Sequence, residues 1–199
     1  YDGAEKLAID IGHNPEDLTK LINKTIDANK MKTDVHIRII VSRGLKITPY
    51  QHPNVNYGGS TLVIIPEYKI PDEKKNNAGI RLVTVTTRRG ALNGQDPRLN
   101  TLSKYNCIAA CIEADRAGAD EGIMLDINGN VSTCNSTNFF IVRDGEVWTS
   151  TGKYCLPGVT RRFIVDLCCK NNIPVFEKDF RIEDVHSADE AFVTGTFAG

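Results

Sequence analysis

Residues 96–162, DPRLNTLSKYNCIAACIEADRAGADEGIMLDINGNVSTCNSTNFFIVRDGEVWTSTGKYCLPGVTRR, decide the fold of this chain. They read in order as a loop, a helix, two hairpins and a helix start. Apolar spacing predicts a helix over Tyr105–Ala117, with Ile108, Cys111 and Ile112 on one face. Two runs, Gly122–Leu125 and Val131–Thr133, flank Asp126-Ile127-Asn128-Gly129. Two more, Phe139–Val142 and Val147–Thr149, flank Asp144-Gly145. Each flanked segment is a hairpin turn signal. Leu156-Pro157-Gly158 then opens a second helix, predicted to run from Pro157 to Asn171.

Working outward, a short strand is expected at Ile173–Phe176, a helical turn at Ile182–His186 and a strand at Glu190–Thr194. Upstream, Asn14-Pro15-Glu16-Asp17 is a helix start. Asn14 can cap, Pro15 suits the first turn, and the two acids favour the positive end of the helix. Leu18, Leu21, Ile22 and Ile26 follow at helical spacing. Residues 33–43, Ser60–Pro66 and Ile80–Thr87 read as strands, residues 45–59 as a loop, and residues 71–79 as a solvated connector. Helices alternate with antiparallel hairpins, so the expected class is α+β with a mixed, barrel-like sheet. A boundary is expected after Arg88, giving residues 1–88 and 89–199 as two parts. The chain starts inside a helix-like stretch and stops straight after a strand, so both ends read as cut.

The 24 basic and 25 acidic side chains balance. Nucleic acid is therefore not expected as a partner, since phosphate backbones are bound by a basic face. No apolar run reaches the roughly 18 residues of a membrane span. The six cysteines include no CxxC pair and read as free, buried thiols. The four histidines lack metal spacing, and Asp126–Asn130 lacks the spacing of a calcium loop, so no metal is expected.

Three polar groups could carry chemistry. Gly158, Val159 and Thr160 sit where a turn opens a helix, and such a terminus offers free N–H groups and partial positive charge to an anion. An ordinary helix start has the same appearance. Gly195 and Thr196 follow a strand and could form a second wall around a phosphate, although a plain turn reads the same way. Lys104, in the first turn of a helix beside Tyr105, is either a solvated helix residue or an amine facing a cleft. His52 is the one histidine expected near a cleft.

Together these pieces resemble the class IV aminotransferases, the fold type IV pyridoxal-phosphate enzymes. The resemblance runs from about Ile37 to Ala198. It is carried by IEADRAGADEGIMLDINGNVS, STNFFIV, DGEVWTS, LPGVTRRFIV and ADEAFVTGTFAG. It implies a small α/β domain, a larger domain with the cofactor between the two, and a homodimer. Residues 1–88 would be the remainder of the small domain, and 89–199 most of the large, cofactor-binding one. It also implies pyridoxal 5′-phosphate as cofactor, an amino acid and a 2-oxo acid as substrates, and a cytoplasmic or mitochondrial setting. Val159 and Thr160 match one of the family's phosphate contacts, and Gly195 with Thr196 the other; Gly158 would let the phosphate approach the backbone, and Asn138 matches a conserved asparagine. Tyr50, His52 and Tyr105 would line the substrate pocket.

Two positions depart from the family pattern. The lysine that condenses with the cofactor aldehyde is expected thirteen or so residues before Glu113-Ala114, where this chain has Asn100. Lys104 stands where relatives carry a tyrosine or arginine beside the cofactor ring, and it is the amine that could take over. Relatives carry a glutamate against the pyridine nitrogen where this chain has Thr133. Losing a charged partner there costs about 1.5–3 kcal/mol, or roughly 10- to 100-fold in rate if it falls wholly on the transition state. Three activities remain open: transamination of apolar amino acids, an aminodeoxychorismate-lyase-like elimination, and a catalytically silent relative that binds a phosphate ligand.

Overall fold

The chain begins with two helices, α1 (Asp2–Lys6) and α2 (Pro15–Ala28). The start of α2 forms as the sequence dictates: Asp17 N–H donates to Asn14 Oδ1 at 2.8 Å, with Pro15 in the first turn. The half-buried stripe Leu18, Leu21, Ile22 and Ile26 turns this helix onto a two-stranded antiparallel sheet. The sheet pairs β1 (Val35–Ser42) with β4 (Thr61–Tyr68), from Val35 opposite Tyr68 to Ser42 opposite Thr61. Residues 45–59 are more ordered than their proline, glycine and asparagine content suggests. They form a miniature ladder of β2 (Leu45–Lys46) and β3 (Asn56–Tyr57) around a 3-10 turn at Pro53–Val55.

The computed structural model describes residues 1–70 and 78–196. Most of the expected connector, residues 71–77, and the last three residues of the family-like block lie outside that range. Contacts divide the chain into two units, Tyr1–Ile70 and Pro71–Gly199. The division falls earlier than the boundary expected at Arg88, and the reason is strand pairing. The predicted strand Ile80–Thr87 contracts to β5 (Leu82–Thr84), which pairs in parallel with β6 (Glu121–Leu125) of the second unit.

In the second unit, β6 turns into β7 (Val131–Cys134) through the Asp126 hairpin. There the Asp126 carboxylate accepts N–H bonds from Asn128 at 2.8 Å and Asn130 at 2.9 Å. The second hairpin joins β8 (Asn138–Arg143) to β9 (Glu146–Thr149). Its central residues, Asp144 (φ 52°) and Gly145 (φ 77°), both have the positive φ that a tight twisted turn demands. Then α4 (Val159–Lys170) crosses over to β10 (Val175–Glu177), which lies parallel to β9. After α5 (Ile182–His186), β11 (Glu190–Thr194) returns antiparallel to β8, giving the order β10-β9-β8-β11. The first sheet, β5-β6-β7, likewise holds one parallel pair bridged by a helix, α3 (Tyr105–Arg116).

Alternation along the strands assigns the layers. Ile123, Leu125, Val131, Phe139 and Ile141 meet in one core between the two sheets, with Phe180. Met124 faces the other way, onto Ala110 and Ala114 of α3. Phe140 faces α4, joining Val165 and Cys168 and stacking on Phe192 at 4.9 Å. The face of α3 picked out by Ile108, Cys111 and Ile112 turns outward, with Ile108 57% exposed. The helix docks through alanines instead, because Gly122 lets the β6 backbone come close. A Cβ there would lie 2.6 Å from Val85 Cγ1 and 3.2 Å from Ala110 O. All six cysteines are free thiols, but only Cys134, Cys155 and Cys168 are buried.

Candidate active site

The site is built around the first residue of β8. Asn138 is buried, and its Nδ2 donates to Leu156 O at 3.1 Å, which fastens the loop that leads into α4. Gly158 is the N-cap residue of that helix and packs against the same side chain. A Cβ on Gly158 would lie 2.2 Å from Asn138 Oδ1. No side chain caps α4, and no acid stands in its first turn. The leading amides of the helix, those of Val159 and Thr160, have no carbonyl four residues back inside the helix. They present donors and the positive end of the dipole, the arrangement that suits an anion.

Register brings the second loop to the same place. Thr194, the last residue of β11, pairs with Asn138, so Gly195 and Thr196 emerge beside it. Gly195 is in van der Waals range of Thr137, with a virtual Cβ 3.4 Å from Cγ2. The two loops expected to hold a phosphate thus flank Thr137 and Asn138. Thr133, one strand away, is buried and spends its hydroxyl proton on Thr137 O at 2.7 Å.

Two buried arginines, which the sequence analysis did not single out, brace these loops. Arg161, in the first turn of α4, donates to Ser150 O and pairs with Glu177 at 2.7 Å, tying the helix start to the ends of β9 and β10. Arg89 donates to Tyr154 O at 3.2 Å, Cys107 Sγ at 2.8 Å and Pro97 O at 3.4 Å. It thereby joins the loop before α4 to α3 and to the segment leading into α3. Arginines are mostly exposed, so composition gives no sign that one will be buried. The only hint is the Arg88-Arg89 pair inside an otherwise irregular stretch.

Lys104 is the N-cap residue of α3, half-buried, and its Nζ donates to Asn100 Oδ1 at 3.0 Å. Burial pushes its amine below the usual lysine range. The Arg89 guanidinium pushes the same way, and Cys107 opposes them. Tyr105 follows, 83% exposed. The helix itself is held by Glu113, whose carboxylate accepts from the backbone N–H and hydroxyl groups of both Thr86 and Thr87. These bonds lower it to about 2. Tyr50 and His52 belong to the first unit, where their rings stack at 6.4 Å and His52 Nδ1 accepts the Asn54 N–H of the 3-10 turn. Among the described residues, no group of three or more His, Cys, Asp or Glu could hold a metal ion.

A mixed helix-and-sheet unit in which α4 opens on an uncapped glycine, with a buried asparagine beneath it, defines an α+β protein with a corner suited to an anion. Residues 1–199 match the family described as amino-transferase class IV, and the chain belongs to that family. It is 38% identical over 195 residues to branched-chain-amino-acid aminotransferase-like protein 2 of Arabidopsis thaliana, covering 98% of this chain and 35% of that protein. It is 30% identical over 207 residues to the D-alanine aminotransferase of Listeria monocytogenes, covering 98% of this chain and 66% of that enzyme. A branched-chain aminotransferase from the thermophilic archaeon Thermoproteus uzoniensis, solved with norvaline, superposes with a TM-score of 0.85. The identity is 28%, over 99% of this chain and 65% of that one. A further solved branched-chain amino acid aminotransferase, complexed with N-(5′-phosphopyridoxyl)-L-glutamate, superposes with a TM-score of 0.88 at 26% identity, over 100% of this chain and 64% of that one. The chain therefore spans only part of the length of these relatives, about a third of the plant protein.

Proposed function

We propose that this chain belongs to a pyridoxal 5′-phosphate-dependent aminotransferase. It would move an amino group between an amino acid, branched-chain or otherwise apolar, and a 2-oxo acid, and work as a homodimer in the cytoplasm. One observation carries the reading: the uncapped start of α4 and the Gly195-Thr196 loop flank the same buried asparagine, Asn138. That corner fits a phosphate dianion. The glycine at 158 lets the helix start pack directly on Asn138, and the hydroxyls of Thr160 and Thr196 add donors. No helix among the described residues is long and apolar enough to cross a membrane.

When bound, the cofactor supplies an aldehyde that takes up the amino group and a ring that draws electrons from the substrate Cα. Gly158, Val159, Thr160, Gly195 and Thr196 hold the phosphate. Asn138 keeps the first loop in place through Leu156 O. Lys104 anchors the cofactor and carries the proton at the substrate Cα. Its lowered amine pKa increases the uncharged fraction that a proton acceptor needs. Tyr105 lines the apolar side of the substrate pocket. Thr133 offers a neutral oxygen, its proton already given to Thr137 O, where the family resemblance expects a carboxylate. That observation favours a second reading, a relative that binds the cofactor and transfers nothing.

The test uses the full-length protein, loaded with pyridoxal 5′-phosphate, reduced with borohydride and digested for mass spectrometry. Transfer from leucine to 2-oxoglutarate is assayed in parallel. The reading expects the label on the Lys104 peptide and an amino-acid-dependent transfer. Cofactor retained without transfer establishes the second reading, and failure to retain cofactor defeats both.

A further inference from the structure

We propose that Asn100 is the positioning residue of Lys104: its side-chain carbonyl takes the hydrogen bond that aims the amine at the front of α3. The inference rests on the reading of Lys104 as the cofactor lysine, and it concerns the position where the family resemblance expects that lysine. Asparagine cannot condense with an aldehyde, but it can hold an amine four residues away.

The geometry has three parts. Lys104 Nζ donates to Asn100 Oδ1 at 3.0 Å. The Lys104 backbone (φ −109°, ψ 23°) lies outside the helix proper, so its direction is set by the segment entering α3. That segment is tied down. Arg89 grips Pro97 O, Asp96 takes both Arg98 N–H and the Arg98 guanidinium, and Gln95 Nε2 donates to Thr101 Oγ1 and Ser103 O. Asn100 therefore presents its carbonyl from a braced strap of chain.

The charged surroundings bear on the same amine from two elements. Cys107 faces it from its own helix, and Arg89 from the segment after β5, while Arg98 and Asp96 in the strap pair with each other. Burial and Arg89 favour the neutral amine, and the Asn100 carbonyl is the group that keeps a preferred direction for it. An acceptor at 100 can orient the amine without the full charge compensation that a carboxylate would bring.

Trace acetylation of the cofactor-free full-length protein across pH, read peptide by peptide, measures the charge state of Lys104 against Lys20, whose side chain is 78% exposed. The expected half-labelling pH for Lys104 lies below that of Lys20. Asn100→Asp should raise it by about one unit, cutting labelling at pH 7 about tenfold. Asn100→Leu should lower it, because the ammonium form loses its acceptor, and should slow borohydride fixation of pyridoxal 5′-phosphate at Lys104. Inorganic phosphate should compete equally well in both variants. Lys104 profiles that superpose in wild type, Asp and Leu overturn the proposal. If the profiles move but the cofactor is fixed on another lysine, the pairing stands and the function reading falls. If Lys104 is fixed and the profiles do not move, the reverse holds.

Discussion

Replacing Gly158 by alanine tests the core of the site. The Gly158 backbone (φ −62°, ψ 139°) is open to any residue, so no conformational penalty enters. The whole cost is the methyl group, 2.2 Å from Asn138 Oδ1. Asn138 must swing away and give up its bond to Leu156 O. A buried carbonyl that loses its donor costs about 1–3 kcal/mol, and forced repacking about 1–3 kcal/mol more. The stiffer unfolded chain returns about 0.4–1 kcal/mol. The net destabilisation is about 1.5–5 kcal/mol, a large part of the stability of an ordinary domain. Urea unfolding followed by the fluorescence of Trp148, the one tryptophan, reports on this unit because the residue lies in β9. A double-mutant cycle isolates the contact. In an Asn138→Ala background the methyl group meets Arg161 Cβ at 3.6 Å, an ordinary van der Waals contact, and Gly158→Ala should be close to neutral. Equal costs in the two backgrounds, within about 0.5 kcal/mol, would refute the packing argument and with it the account of why a glycine opens α4.

Two further outcomes follow from the same structure. The Glu113 carboxylate is lowered from 4.5 to about 2 by its hydrogen bonds, so its contribution is complete above pH 4.5 and drains away as pH falls toward 2. Glu113→Gln should therefore be less stable than wild type at pH 7, and the two should converge as the pH approaches 2 in acid-unfolding curves; a gap that widens with acid contradicts the assignment. Gly122→Ala should destabilise by about 1–3 kcal/mol through overpacking. Its Cβ would press on Val85 Cγ1 at 2.6 Å and on the α3 backbone, and Val85→Ala should recover part of the loss in urea titrations.

Local chemistry made much of the second unit legible in the sequence. The two hairpin turns announce themselves through Asp126–Gly129 and Asp144-Gly145, and β11 forms over Glu190–Thr194, as read. The outward face of α3 was not legible, since helical periodicity reports which residues share a face and not which face is buried. Here alanines opposite Gly122 win, because close approach of helix and sheet gains more contact than bulkier side chains held at a distance. Two-residue ladders such as β2–β3 lack a repeat to read. The buried roles of Arg89 and Arg161 depend on carbonyls from distant segments, Tyr154 and Ser150, which no window of sequence brings together.

On the proposed reading, holding the cofactor and doing chemistry with it depend on different residues. The parts that grip an anion are backbone amides, two glycines and hydroxyls, fixed by Asn138 and by the two buried arginines. They depend on shape. The parts that move electrons and protons depend on charge, and here the chain departs, with Asn100 and Thr133 both neutral. A neutral Thr133, whose hydroxyl donates to Thr137 O, would supply no carboxylate to the ring nitrogen of a bound cofactor. A lysine at the N-cap of α3 stands four residues after Asn100. The energetic consequence is asymmetric: ligand affinity should be close to that of a family member, while the barrier carries the loss of about 1.5–3 kcal/mol from the missing charged partner. Affinity and turnover in this protein should therefore respond to different substitutions, the first to Gly158 and Asn138, the second to Asn100, Lys104 and Thr133.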